Sequence, residues 1–230
     1  MSELAMEKSF SQFGEDLLVW KYFSNKRDGF FVEVGANEPE YLSQTFLLER
    51  NGWRGILVEP QSTCCEQLRR IRPEAHIFQA ACGAPEQKGK ALLQLNHQGS
   101  KLSKLITAGE YEEVQVMTLD DILEQVPHPR IDFLSIDVEG SELQVLRGFD
   151  ILKHSPRLML IEDNIANRLK VHWHIKRHGY QLVKRTGCNN WYLPQGQPFP
   201  YSTTWERVML FRKMYPGTLF RKLRMILTGH

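Results

Sequence analysis

No stretch of this chain approaches the ~18 consecutive apolar residues that a membrane-spanning helix needs, so no crossing segment is expected. The opening "MSELAMEKSF" also lacks the apolar centre of a secretory signal. Cysteine is scarce. Cys64, Cys65, Cys82 and Cys188 show neither CxxC nor metal-finger spacing, and the neighbours Cys64 and Cys65 are poorly placed for a structural bridge. Reduced thiols and a cytoplasmic location follow as expectations. Charge of one sign is missing too: 29 basic against 27 acidic residues leave +2, too even for nucleic acid as the main partner. Repeats and low-complexity linkers are absent. What remains is 230 residues, 42 % hydrophobic and 24 % charged, enough for one domain over 1–230 with a sizeable core.

Short apolar runs alternate with helix-like segments. "FFVEV" (30–34), "GILVE" (55–59), "HIFQAA" (76–81), "IDFLSID" (131–137) and "RLMLIED" (157–163) read as five strands. Between them, Leu42, Phe46, Leu47 and Arg50 have helical spacing. "STCCEQLRRIR" sets Cys64, Leu68 and Ile71 on one face, with Thr63 and Glu66 at capping-box spacing. "TLDDILEQV" (118–126), "SELQVL" before Gly148 and the span 168–178 are further helices. The polar stretch 84–115 is expected as loop with a hairpin, 179–194 as a hairpin turning near Gly187–Asn190, and "ERVMLFR" (206–212) as a last strand.

Residues 1–28 read as a helical lead-in and 213–230 as a basic amphipathic helix. In the latter, Leu219, Leu223 and Ile226 share a face among Arg221, Lys222 and Arg224. Such a helix packs on its own core or on a second copy, or lies on an acidic membrane through 217–228.

Runs that are apolar on both faces and separated by helices make a parallel sheet covered on both sides. Ligands of such sheets sit at the carboxyl ends of the strands. Glu33, Glu59, Asp137 and Glu162–Asp163 stand at or just beyond four of the five ends, so carboxylates gather on one rim.

The turn in "GFFVEVGANEP" (29–39) discriminates between ligands. A dinucleotide site needs GxGxxG so that glycines admit a pyrophosphate. Here Gly35 stands alone before Ala36 and Asn37, and Glu33 and Glu38 would repel phosphate. S-adenosylmethionine fits better, because it has no phosphate and carries a sulfonium and an ammonium. Glu33 could accept from that ammonium, and Gly35 lets backbone approach the ligand. Glu59, 24 residues beyond Gly35, is placed for both ribose hydroxyls, its plainer alternative being a solvated strand end.

"FVEVGANEPEYLSQTFLLERNGWRGILVEP", "TLDDIL" and "IDFLSIDVEGSELQVLRGFD" closely resemble the FkbM family of S-adenosylmethionine-dependent methyltransferases, over roughly residues 10–195. The resemblance implies a seven-stranded, mostly parallel Rossmann-like sheet with helices on both faces. It also implies methyl transfer to oxygen, commonly a hydroxyl of a sugar or natural product. By position, Glu33, Gly35, Asn37 and Ser43 would line the methionine end, Glu59 would hold the ribose, and Ala81 would lie near the adenine.

Methyl transfer needs an aligned oxygen nucleophile and help with its proton. Asp137, Asp163 and Asn164 offer hard oxygens that suit Mg²⁺, an arrangement similar to the metal site of catechol O-methyltransferase, with Glu162 as an alternative ligand. Without a cation, Asp163 and Asn164 would cap the next turn, and Asp137 or a histidine would be the base. Glu139 either binds substrate or starts a helix; Glu142 is expected to be structural.

His174 and His178 share a helix face and His172 does not join them, with no further zinc ligands in view. Trp191, Tyr192, Tyr201 and Trp205 are either sugar platforms or core. The acceptor is expected to be a glycan or another hydroxylated small molecule. Nitrogen or carboxyl methylation without metal, and a non-catalytic module on the same fold, are the alternatives.

Overall fold

The computed structural model describes residues 8–95, 101–103, 110–127, 129–215 and 217. In chain order the strands are β1 (Phe30–Val34), β2 (Arg54–Glu59), β3 (His76–Gln79), β4 (Ala81–Cys82), β5 (Gly89–Leu95), β6 (Lys101–Ser103), β7 (Glu110–Met117), β8 (Phe133–Ile136), β9 (Leu158–Glu162), β10 (Tyr180–Thr186) and β11 (Asn189–Pro194). The helices are α1 (Glu15–Tyr22), α2 (Phe46–Arg50), α3 (Ser62–Ile71), α4 (Leu119–Leu123), α5 (Glu142–Arg147), α6 (Ile151–His154), α7 (Arg168–Arg177) and α8 (Thr204–Met214).

The five apolar runs form one parallel sheet, joined by an antiparallel hairpin whose second strand inserts between β9 and β10. The spatial order is β10-β11-β9-β8-β1-β2-β3, seven strands with helices on both faces. Alternation along each strand divides the core. Val32, Val34, Ile56, Leu134 and Ile136 pack against α4 to α7. Phe31, Leu57, Phe133 and Trp191 pack against α1 to α3. Because both sides are covered, both sets of side chains are apolar. The order reverses direction at β1, and its neighbours β2 and β8 carry chain away to opposite sides. The carboxyl ends of these three strands therefore frame the crevice.

Three expectations about local structure are corrected. Residues 206–212 are helical, not a strand: Thr203 Oγ1 accepts from Glu206 N at 3.1 Å and Glu206 bonds back to Thr203 N at 2.7 Å, a capping box that starts α8. The described part of 84–115 is mainly strand rather than loop, and the expected antiparallel pairing is present: β5 and β7 pair in a second sheet of order β4-β7-β5-β6, with Leu93, Val114 and Val116 as its small core. Helix α3 starts at Ser62 after Gln61, so the Thr63–Glu66 box is not its cap. The helical lead-in reduces, among the described residues, to α1. The basic helix expected at 213–230 lies almost entirely outside the described residues. The four cysteines are free thiols, and no helix among the described residues is long and apolar enough to cross a membrane.

One buried ionic group ties these elements together. Arg72, just past α3, is fully buried. Its Nε donates to Glu49 at 2.6 Å, its Nη2 to Thr45 Oγ1 at 2.8 Å, and its Nη1 to Ser43 Oγ at 3.2 Å and Glu33 at 3.5 Å. Glu33 in turn accepts from Gln44 N at 2.9 Å and Thr45 Oγ1 at 2.5 Å. Burial raises the Glu33 pKa while Arg72 and these donors pull it back. Removing one member of a buried pair costs about 3–5 kcal/mol because the other charge is left unpaired. Arg72→Met is therefore expected to lower stability by about that amount in urea denaturation. In an Arg72→Met/Glu33→Gln double variant the loss should be smaller than the sum of the two single losses.

Candidate active site

At the end of β1 the chain turns through Gly35, whose φ is 85°. A Cβ placed there would lie 1.8 Å from the carbonyl oxygen of Asp137, the residue that follows β8. Glycine is thus required because two neighbouring strand ends press backbone on backbone. Gly35 N and Ala36 N both donate to Val58 O on β2, which fixes the turn over the third strand end. Asn37 is left-handed at φ 50°, and that conformation aims its N–H at Glu59 Oε2, 2.9 Å away.

Glu59 closes β2. Its second oxygen accepts from Gln61 N at 2.9 Å, and only 6 % of the residue is exposed. Burial raises its pKa, the two backbone donors lower it, and the nearby Glu112 carboxylate raises it again. Each Glu59 oxygen takes one backbone donor and retains acceptor capacity. Glu112 was not singled out in the sequence because it lies in the polar 84–115 stretch. The β7 strand brings it to the start of α3, where it accepts from Ser62 N at 3.2 Å and from Gln79 at 3.4 Å.

The other expected cofactor residues sit as follows. Ser43 is buried and its Oγ accepts from Thr45 N at 3.3 Å and Phe46 N at 3.1 Å, so it shapes the start of α2. Glu33 has its oxygens engaged by Gln44, Thr45 and Arg72, and acts on the 37–45 loop. Ala81 is buried on β4, opposite Val116, where the chain leaves β3 for the second sheet.

A group of carboxylates lies across the crevice, at the ends of β8 and β9. Asp137, Glu139 and Glu162 offer oxygens all within 4.8 Å of one another. Burial first, then Glu139, raises the Asp137 pKa. Burial first, then Asp137, raises that of Glu162. Glu142 is fully buried beside them: Oε1 accepts from Gly140 N at 2.8 Å, and Oε2 has no hydrogen-bond partner among the described residues. Glu162 Oε2 is likewise buried without one. Glu139 reaches the group from a left-handed backbone at φ 53°.

Asp163 and Asn164 do not join that group. Arg168 holds the Asp163 carboxylate at 2.7 and 2.5 Å, and Arg185 pairs with its Oδ2 as well. Two guanidinium groups on one carboxylate leave little negative charge for a cation. Asn164 Oδ1 accepts from Ala166 N at 3.0 Å, the turn-capping geometry. The expected set of Asp137, Asp163 and Asn164 is therefore not assembled here; the carboxylates that do meet are Asp137, Glu139 and Glu162. The signal for Asp163 was present in "IEDNIANR", since Arg168 stands five residues on, at the first turn of a helix.

His172 is buried between the hydroxyls of Tyr192 at 3.4 Å and Tyr215 at 2.9 Å, and burial pushes its pKa down to about 4. It is a neutral packing residue on α7. His174 and His178 do share a face, with ring centroids 4.7 Å apart. Trp191 and Tyr192 are core, and Trp205 is exposed on α8.

The seven-stranded α/β sheet thus carries the buried Glu59 carboxylate on one side of its crevice and an acid cluster on the other. The model of the methyltransferase FkbM domain matches residues 33–182, well over half of the sequence, and the chain belongs to that family. Methyltransferase 1 of Beauveria bassiana (strain ARSEF 2860) is 41 % identical over 54 residues. That match spans 23 % of this chain and only 22 % of the relative. Among solved structures, a TehB-like SAM-dependent methyltransferase from Corynebacterium glutamicum shares 11 % identity over 80 % of this chain and 89 % of its own, with a TM-score of 0.46. An O-methyltransferase from Bacillus cereus in complex with SAH shares 11 % over 82 % and 83 %, with a TM-score of 0.44.

Gly35→Ala should show how tightly the site is built. The left-handed backbone alone costs roughly 1–3 kcal/mol, and the contact with the Asp137 carbonyl adds to it. The expected outcome is a lower thermal midpoint by circular dichroism; an unchanged midpoint would mean that the β1 turn does not press on β8.

Proposed function

We propose that this protein binds S-adenosylmethionine and transfers its methyl group to a hydroxyl oxygen of a sugar, glycan or other hydroxylated metabolite. The observation that carries the reading is Glu59, a buried carboxylate at the end of β2 with one backbone donor on each oxygen and acceptor capacity left over. That is the chemistry for two adjacent ribose hydroxyls, held beside a turn that phosphate would avoid. When bound, the cofactor supplies an electrophilic methyl on a sulfonium.

The chain's own residues divide the remaining work. Glu59 holds the ribose, and Asn37 N–H holds Glu59. Glu33, Ser43 and Arg72 fix the loop that faces the methionine end, acting through Thr45 and Gln44. Ala81 contributes apolar wall at the adenine end. At the β8 and β9 ends, the Asp137 carboxylate takes the proton from the acceptor hydroxyl, with Glu162 sharing it.

A second reading has one specific observation in its favour. Asp137, Glu139 and Glu162 make a compact hard-oxygen set, which suits Mg²⁺ or Mn²⁺ in place of the set expected from Asp163 and Asn164. Such a cation would lower the acceptor hydroxyl's pKa and hold its oxygen.

Two measurements test these readings, the first at the cofactor site they share and the second at the cation that divides them. Glu59→Ala is expected to weaken S-adenosylhomocysteine binding about ten- to a hundredfold by calorimetry, the loss of charge-assisted hydrogen bonds. An unchanged dissociation constant would remove Glu59 from the site, and saturable binding by the unaltered protein separates an enzyme from a non-catalytic module.

Chelation tests the cation. Loss of turnover in excess EDTA, restored by Mg²⁺ or Mn²⁺ and reproduced by Glu139→Gln, supports it. Full turnover in EDTA leaves Asp137 as the base, and Asp163→Asn should in either case lower stability rather than change cation dependence.

A further inference from the structure

Helix α8 turns an apolar face outward. Of eleven large hydrophobic residues exposed among those described, four lie within its seven-residue stretch 205–211: Trp205 at 68 %, Val208 at 46 %, Met209 at 44 % and Phe211 at 61 %. Spacing of three and four residues puts Trp205, Val208 and Met209 on one side, with Arg212 a turn further along. The opposite side holds the helix down, through buried Met214, half-buried Leu210 and the 2.9 Å ion pair of Glu206 with Lys184.

The exposed face continues onto α7. The Phe211 ring lies 4.9 Å from Tyr215, and Tyr215 lies 6.2 Å from Trp173 of α7, itself 44 % exposed. Lys176 Nζ stands 4.8 Å over the Trp173 ring. Behind Trp173, Lys170, Arg177 and Arg147 line an open groove of about 800 Å³ between α5 and α7. Aromatic rings interleaved with cations are thus the character of the whole surface.

Charge selects the occupant. Residues 204–230 hold six basic residues, Arg207, Arg212, Lys213, Arg221, Lys222 and Arg224, against one acid, Glu206, which Lys184 already neutralises. The rest of the chain holds 23 basic and 26 acidic residues, so a chain that is nearly neutral is strongly asymmetric. A second copy docking through the same face would bring these cations against themselves. The chain's own segment 218–230 would add Arg221, Lys222 and Arg224 to the same field. Nucleic acid would satisfy the charge but not Val208 and Met209.

We propose that the α7–α8 face docks on the surface of an anionic lipid bilayer. Trp205, Val208 and Met209 enter the interfacial region, and Arg212 and Lys176 meet the headgroups.

The test uses the full chain with vesicles of phosphatidylcholine alone and of phosphatidylcholine mixed with phosphatidylserine. Co-sedimentation is expected with the anionic vesicles and should weaken as salt rises. Arg212→Glu/Lys176→Glu should weaken it about thirtyfold or more, from the loss of two surface cations. Trp205→Glu/Met209→Glu should abolish it. All four positions are exposed, so melting temperature and S-adenosylhomocysteine affinity should stay as in the unaltered protein. A blue shift in tryptophan emission on anionic vesicles, absent in Trp205→Phe, would place that ring in the interface.

Equal sedimentation with both vesicle types, or unaltered binding by both double variants, overturns the proposal. So does a concentration-dependent dimer that the Trp205→Glu/Met209→Glu variant abolishes, which would make the face a contact between copies. Binding of single-stranded RNA in place of vesicles overturns it as well.

Discussion

The crevice depends on burying Arg72 without leaving any charge unanswered. This one guanidinium joins the end of α3 to β1, to the loop before α2 and to α2 itself. Its partners Glu33 and Glu49 are both acids, so the group retains a negative charge that the donors of Gln44 and Thr45 must spread. Buried ionic networks of this kind are rarely the most stable packing available, because desolvation offsets most of the attraction. What they do provide is a single permitted arrangement. Each hydrogen bond names a particular residue of the 43–45 turn, and that turn borders the crevice. The two glutamates that both stand at strand ends in the sequence, Glu33 and Glu59, are therefore different objects. Glu33 faces inward and sets backbone; Glu59 keeps acceptor capacity at the strand end.

At the other side of the crevice carboxylates meet one another. Asp137, Glu139 and Glu162 offer oxygens within 4.8 Å of one another beside Glu142, and among the described residues Glu142 Oε2 and Glu162 Oε2 have no hydrogen-bond partner. A cluster of like charges under burial holds a proton that would otherwise be lost, or else a cation. Yet Asp163, the residue after Glu162, has Arg168 and Arg185 both within bonding distance. The fold neutralises the carboxylate that anchors α7 to β9 and sets the rim carboxylates of Asp137 and Glu162 close to one another. Local imbalance of this kind is expected where a protein gives up stability for a site.

Much of this was legible in the sequence, and for identifiable reasons. The five parallel strands are apolar on both faces, and a sheet buried on both sides leaves that mark in any sequence. Gly35 was visible as a special position, although its reason was read as ligand approach when the nearer cause is the Asp137 carbonyl. The errors occur where the deciding partner is remote or local polarity is ambiguous. "ERVMLFR" alternates well enough to pass for a strand, and only the box formed by Thr203 and Glu206 commits it to a helix. The stretch 84–115 reads as loop because one face of its small sheet is solvated, so little apolar signal remains. Arg72 and Arg185 could not be matched to Glu33 and Asp163 by inspection, since separations of 39 and 22 residues carry no periodic signature.

Helix α7 connects the two regions on which function is proposed to rest. Its first residue, Arg168, is bonded to Asp163 at the end of β9, and its later turns present Trp173 and Lys176 to the outside. Ten residues of helix span roughly 15 Å, so the acid cluster and the basic aromatic face are held by one short rigid element. An anionic bilayer would repel the carboxylates at the rim and attract the α7–α8 face. Docking would consequently be orienting as well as adhesive, because the rim carboxylates and the α7–α8 cations differ in sign. An acceptor carried on a lipid or at a membrane surface would then meet a crevice held at a fixed attitude, whereas a freely diffusing sugar would gain nothing from the basic face. The charge asymmetry of the last 27 residues, invisible in a net charge of +2, is the feature that makes the two cases differ.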